Sequence, residues 1–254
     1  MLSPLSQSLM PLWTPPKVAA VASAYAAAVL ADSPVAYWRL GEGSGTTAID
    51  SSGNGHNGTY TPGSGSWTGG TLGQSGLIAD PDTCALFNGS SGYVAEATVK
   101  SVFAGASHGT IEAWVNRTSA SDTFEVGFNA VNGSRFEISW YSDGNIYWVA
   151  ENGGSFGYGF CALGGTGTHH LVLAYDGTQG PTARIVAYID AVAQSLSWPT
   201  TPATSLDSAA NLGNFNIAHD VSASLFFAGE VDEVALYSTT LSSTRIAAHY
   251  AAGI

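Results

Sequence analysis

Charge is the scarcest resource in this sequence. Only 7 of the 254 residues are Lys or Arg, against 19 Asp and Glu, leaving a net charge of −12. A protein that grips nucleic acid does so by neutralising phosphates with basic side chains. No basic run occurs here, so nucleic acid and anionic membrane surfaces are excluded as partners. Charged residues of both signs reach 10%, against about 25% in an average domain, so Ser, Thr and Asn must supply the polar surface. Cysteine is nearly absent too. Cys84 and Cys161 both fall in apolar, strand-like runs, which reads as two buried thiols rather than a bridge. A chain of this length buries about 70–75% of its unfolded surface and needs no disulfide. Long apolar runs are also missing. The stretch KVAAVASAYAAAVLA (17–31) is mostly alanine and shorter than the ~20 residues that cross a bilayer, so no membrane span is expected.

Glycine, by contrast, is abundant. Its 31 residues far exceed the usual ~7%, as suits short strands joined by tight turns. Several segments alternate with the period of a strand. In GTIEAWVNR (109–117), Ile111, Ala113 and Val115 oppose Glu112 and Trp114. RFEISWYS (135–142) and NIYWVAEN (145–152) flank Asp143-Gly144, a strong hairpin signal. Glu230 to Tyr237 places Val231, Glu233, Ala235 and Tyr237 on one side, with Glu230, Asp232, Val234 and Leu236 on the other. Beyond it Leu241, Arg245, Ala248 and His249 fall at helical steps, with Ser242 or Ser243 as cap and Gly253 as stop.

At the other end, residues 1–16 hold four prolines and no charge and read as an extended arm. Residues 17–31 predict a helix with Val18, Val21, Tyr25 and Val29 on one stripe, stopped by Asp32-Ser33-Pro34. That helix either packs on its own domain or anchors the chain to a larger assembly. An export leader is a third reading, weakened by Lys17 lying behind the prolines. No internal repeat is visible, so the expected division is an arm and helix at 1–33 and one domain at 34–254.

The closing string carries a resemblance. Gly229, Val231, Asp232, Glu233, Val234, Leu236 and Tyr237, then Leu241, Ser242, Ile246, His249 and Tyr250, are similar to the signature that ends laminin G-like, concanavalin A-like jelly-roll domains. Tyr37 to Leu40, CALFNGSSGYVAEA (84–97), GTIEAWVNR and THHLVLAYDG (168–177) resemble earlier strands of that family. Ala191 stands where the family has glycine, so that turn is expected to be built differently. The resemblance implies an all-β fold, a two-sheet antiparallel jelly-roll sandwich of the concanavalin A-like kind, with an N-terminal extended arm and short helix. YAAAVLADSPVAYWRLGE (25–42) is similar to openings of such domains in bacteriophage virion and bacterial surface proteins. A virion surface location is therefore expected, as a capsid decoration or tail-associated protein held through residues 1–33 by a capsid or tail. The alternative is a secreted or surface-attached bacterial carbohydrate-binding module, extracellular or at the cell surface.

Candidate sites follow from the residues. Asp50, Ser52, Asn54 and Gly55 have the oxygen spacing that wraps a hard cation, although Thr61 stands where an EF-hand has glutamate. Relatives hold a structural calcium beside the first and last strands, which implies Glu42 and Asp232 as further ligands. The predicted metal set is thus Glu42, Asp50, Asn54 and Asp232, with calcium as cofactor; the competing reading is an Asx-turn. Glucanases of this superfamily use E-x-D-x-E, or the same motif with one more residue before the last Glu. Glu230 and Asp232 supply the first two members, but Val234 and Ala235 break the third, and no other hydrolase motif occurs, so no enzyme is expected. The six histidines show no metal-ligand spacing. Trp140, Tyr141, Tyr147 and Trp148 crowd the hairpin, and adjacent residues there must point to opposite faces. Tyr141, Tyr147, Glu151 and Asn152 are the predicted carbohydrate site, because aromatic rings stack on sugar faces while Asn and Glu bond hydroxyls. The expected task is lectin-like adhesion to a surface glycan.

Overall fold

The computed structural model describes residues 23–119, 123–130, 132–154, 156–163 and 165–254. The predicted arm at 1–16, and Val18 and Val21 of the predicted helical stripe, lie outside the described residues. Two antiparallel sheets stack face to face. The first runs, in spatial order, Val192–Ala193, Ile185–Ile189, Gly167–Asp176, His108–Arg117, Ala228–Tyr237, Thr83–Asn88 and Gly70–Ser75, with Ala36–Trp38 also paired to Ala228–Tyr237. The second runs Tyr158–Ala162, Asn145–Ala150, Arg135–Trp140, Phe124–Asn129, Phe215–Ile217, Tyr93–Glu96, Gly58–Thr61 and Thr47–Ala48. A small ribbon, His219–Asp220 with Leu225–Phe226, stands apart from both. This is the all-β jelly-roll sandwich that the resemblance implies.

Alternation decides what each strand buries. Ile111, Ala113 and Val115 of the first sheet face Phe136, Ile138, Trp140, Ile146 and Trp148 of the second, in one core between the sheets. Each such large apolar side chain contributes about 1.5–3 kcal/mol on burial. Glu112 and Trp114 therefore point away from the core on one side of the sandwich, and Glu137, Tyr147 and Glu151 on the other. The Asp143-Gly144 turn forms as expected: Gly144 has φ 82° and Ile146 pairs with Trp140. The cysteines are free.

Three expectations change. The alternation of Ala228–Tyr237 breaks at a β-bulge between Asp232 and Ala235, where Glu233 takes φ 53°. One extra residue reverses the faces beyond it, so Val231 shares the inter-sheet core with Val234 and Leu236 rather than opposing them. The second change is at Ala191. Asp190 and Ala191 take φ 52° and 62°, and Ile189 pairs with Val192. That is the ordinary two-residue hairpin turn with both central residues left-handed, built with alanine despite its Cβ. The third is the first helix, which runs Ala24–Ala31, with the Ser23 hydroxyl accepting from the Ala26 amide at 3.0 Å. Ser23 supplies the start signal, so the helix begins later than residue 17.

That helix packs on its own domain. Tyr25, Ala26 and Val29 lie in a second cluster with Tyr37, Trp114, Val172, Tyr237 and Ile246. The C-terminal helix, Ser243–Gly253 capped by Ser242, joins it over the outward face of the first sheet. Beneath the two helices Glu112 is fully buried and fully engaged. Tyr25 donates to it at 2.6 Å and Tyr237 at 3.2 Å, while His170 and His249 contact it at 2.9 and 3.0 Å. Burial pushes its carboxyl up, but the hydrogen bonds and charges of the two histidines win and hold it well below the usual carboxylate range. His249 reaches on to Asp32 at 2.8 Å, which Arg245 also holds at 2.8 Å, so the helix end is tied to the same network.

Candidate functional site

Among the described residues no helix covers the outward face of the second sheet where the pocket lies. Strand Arg135–Trp140 presents Arg135, Glu137 and Ser139 there, and Asn145–Ala150 presents Tyr147 and Val149. Together with Tyr141, Glu151, Phe156, Tyr158 and Thr200 they line a pocket of about 420 Å³, within the range of small-ligand sites. The rings form one wall. Tyr141 and Tyr147 meet edge to face at 5.5 Å between centroids, and Tyr147 and Tyr158 at 5.6 Å.

The floor is acidic. Glu137 is 0% exposed and Glu151 1%, and Glu125, also 0% exposed, lies next to them outside the lining. Both carboxylate oxygens of Glu137, one of Glu125 and one of Glu151 lack a hydrogen-bond partner among the described residues. Arg135 lies 3.6 Å from Glu137 and 3.6 Å from Glu151, and donates to Ser222 at 3.0 Å. Asn129 donates to Glu125 at 2.7 Å, and Tyr141 to Asp220 at 3.0 Å. Burial pushes Glu137 up to about 8, with Asp220 and Glu151 adding repulsion against the opposing pull of Arg135. Burial raises Glu125 too, helped by the charges of Glu137 and Asp220. Gly127 makes room: a Cβ there would come within 2.5 Å of Cα and Cβ of Glu137. Buried carboxylates without hydrogen bonds are costly to keep, and perturbed groups in a cleft make it a candidate functional site.

Of the predicted carbohydrate residues, Tyr141, Tyr147 and Glu151 are brought together. Asn152 is not: it spends its amide on the carbonyls of Ser205 and Leu206 at 3.2 and 3.4 Å, which anchors a neighbouring loop. Arg135, Glu137 and Ser139 were missed, although their strict alternation with Phe136, Ile138 and Trp140 was a signal. Glu125 was missed as well, although it alternates in the same way with Phe124, Val126 and Phe128.

The predicted calcium ligands do not gather into one shell. Asp50 accepts from the amides of Tyr37, Ser52 and His56 at 3.0, 2.9 and 2.9 Å, the Asx-turn arrangement. Asn54 donates its amide to Pro34 and Val35, and Glu42 accepts from Ile49 and Tyr60. Asp232 accepts from the Leu77 amide at 2.9 Å and leaves its other oxygen unpartnered. Burial, with repulsion from Glu233, pushes it up to about 8. Among the described residues no group of three or more His, Cys, Asp or Glu is arranged to hold a metal. Glu230, of the partial glucanase motif, is bonded by Asn116 at 2.8 Å on the opposite side of the sandwich from the pocket.

Comparison with known proteins places this architecture. Trypanosoma rangeli sialidase in complex with sialic acid is similar at TM-score 0.57 and 14% identity, over 85% of this chain and 32% of the sialidase. The receptor-binding domain of botulinum neurotoxin C/D mosaic serotype is similar at 0.54 and 13%, over 87% of this chain and 51% of that domain. The HCR/D W1238A mutant is similar at 0.59 and 11%, over 88% and 52%. The chain thus spans about a third of the sialidase and half of the other two, and at these identities the likeness is one of fold. No curated protein matches the sequence. Among the described residues no helix is long and apolar enough to cross a membrane. The model of the concanavalin A-like lectin/glucanase superfamily, in its laminin G-like form, matches residues 88–247, more than half of the chain, and with the two-sheet fold this makes the chain a member of that superfamily.

Proposed function

We propose that the chain is a non-catalytic glycan-binding module that displays its pocket to a surface. One observation carries this reading: tyrosine rings stand beside buried carboxylate oxygens that have no hydrogen bond among the described residues. Rings stack on sugar C–H faces and carboxylates accept from hydroxyls, so the two together fit a saccharide better than a purely apolar ligand. The sialic acid complex of the similarly folded sialidase is consistent with it.

The setting we propose is a virion surface, a capsid or tail, with a bacterial cell surface as the alternative. Support comes from the likeness of residues 25–42 and from the Ala24–Ala31 helix, which roots the preceding chain on the face opposite the pocket. Any calcium would be structural. A glycan array run with calcium and again with chelator tests the binding, and Tyr141→Ala combined with Tyr147→Ala should abolish it. Binding that survives both substitutions would sink this site. Deleting residues 1–22 should release the protein from its particle, and unchanged particle association would refute the anchor.

A second reading has its own support. Glu137, pushed up to about 8 and adjoining Glu125, has the character of a general acid beside a second carboxylate. Release of reducing ends from a bound glycan, lost in Glu137→Gln, would establish hydrolysis in place of simple binding.

A further inference from the structure

The balance of donors and acceptors in the pocket says more about its ligand than the fold does. Glu137 and Glu151 line the pocket beside a single cation, Arg135, and Glu125 and Asp220 lie next to the lining. That guanidinium is already shared, at 3.6 Å from each of two carboxylates and hydrogen-bonded to Ser222. Acceptors are in surplus in the lining: among the described residues both carboxylate oxygens of Glu137 and one of Glu151 have no hydrogen bond, against one guanidinium nitrogen, Nε of Arg135. Resting on the glycan reading above, we propose that this pocket selects sugars bearing a free ammonium, amino sugars without an N-acetyl group, over neutral and acidic glycans.

An ammonium brings three N–H donors and a positive charge on one atom, and charge-assisted bonds are roughly twice as strong as neutral ones. Scattered hydroxyls offer one donor each and no charge. The wall of Tyr141, Tyr147 and Tyr158, with centroids 5.5 and 5.6 Å apart, adds cation–π attraction for the same group. An acidic sugar would meet Glu137 and Glu151 beside a guanidinium whose charge those two carboxyl groups already share. Burial and mutual repulsion oppose ionisation of Glu125 and Glu137, and a cation entering between the carboxylates relieves that repulsion.

The test is calorimetric titration of the full chain at pH 6.5 and low salt. The probes are fully deacetylated chitotetraose, its N-acetylated counterpart, 3′-sialyllactose and trilysine. The deacetylated tetramer should bind about tenfold or more tighter than the acetylated one, a difference of about 1.4 kcal/mol, and sialyllactose should give no heat. Added salt should shrink the preference. Glu137→Gln should erase most of it. If that variant fails to fold, Tyr147→Ala at the rim should still lower the deacetylated tetramer's affinity by about fivefold. Equal or tighter binding of the acetylated or sialylated probe overturns ammonium selection while leaving glycan binding in place. Silence from all three sugars overturns the glycan reading itself, and with it this one. Tightest binding of trilysine reassigns the pocket to basic peptides and also overturns it.

Discussion

Glu112 and Glu137 occupy matching places in the two sheets. Each is fully buried, each alternates with core residues on a central strand, and each points away from the inter-sheet core. Their fates are opposite. Glu112 is met by two tyrosines and two histidines under a pair of helices and is held as a carboxylate. Glu137 has no hydrogen bond, faces a pocket and is pushed up to about 8. The contrast teaches that burial alone does not mark function. A carboxylate whose neighbours satisfy it welds elements together, whereas one left unsatisfied beside a cleft is kept at a cost to stability and is a candidate for contact with a ligand.

The largest test of this contrast is Glu112→Ala. Removing it strands His170 and His249 and should destabilise the fold by about 3–5 kcal/mol in urea unfolding, while any fragment that stays folded keeps its ligand affinity. Its pH signature follows from a depressed carboxyl: the stabilisation is present at neutral pH and fades as pH falls below about 4.5. Glu137→Gln should act in reverse. A raised carboxyl penalises the folded state progressively as pH climbs from about 4.5 to about 8, so the variant should match the parent at pH 4. At pH 9 it should be more stable by up to about 5 kcal/mol, although most of the preference for an ammonium sugar is lost. A destabilised variant at pH 9 would put Glu137 in the same structural class as Glu112. Next is a hydroxyl pair. Tyr25→Phe removes a donor from buried Glu112 and should cost about 1.5 kcal/mol. Tyr147→Phe removes one from the exposed Asp143 and should stay within about 0.5 kcal/mol. Equal losses would erase the distinction between the faces. Smallest is Ala191→Gly, next to the Asp190 that holds His169 and the His170 amide. Relieving a left-handed alanine should raise stability by about 1 kcal/mol, seen as a higher melting temperature with unchanged binding.

The fold was legible because period-two alternation and the closing string both survive in the chain. The hairpin half of the site was legible for the same reason, since Trp140 and Trp148 had to face the core if Tyr141 and Tyr147 did not. What stayed hidden depended on partners far apart in sequence. Whether Glu112 or Glu137 is satisfied is decided by His249, Tyr25, Asn129 and Asp220, none of which lies on the same strand. The bulge at Asp232–Ala235 was invisible because one inserted residue leaves no compositional trace, and it inverted the assignment of Val234 and Leu236. Asn152 lies outside the pocket because loop carbonyls claim its side chain, and Asp50 and Asn54 bond the backbone around their own turn for the same local reason.

The opposed placement of the Ala24–Ala31 helix and the pocket also bears on how strongly a single pocket must bind. A domain rooted on one face and open on the other directs its site away from whatever precedes residue 23. Several copies held on one support would then engage a surface together. Effective concentration rather than contact area would set the strength of attachment, with gains of about 10²–10⁴ over one site. Under that arithmetic each pocket can release its sugar quickly while the array stays attached, so the support could move over a surface without letting go.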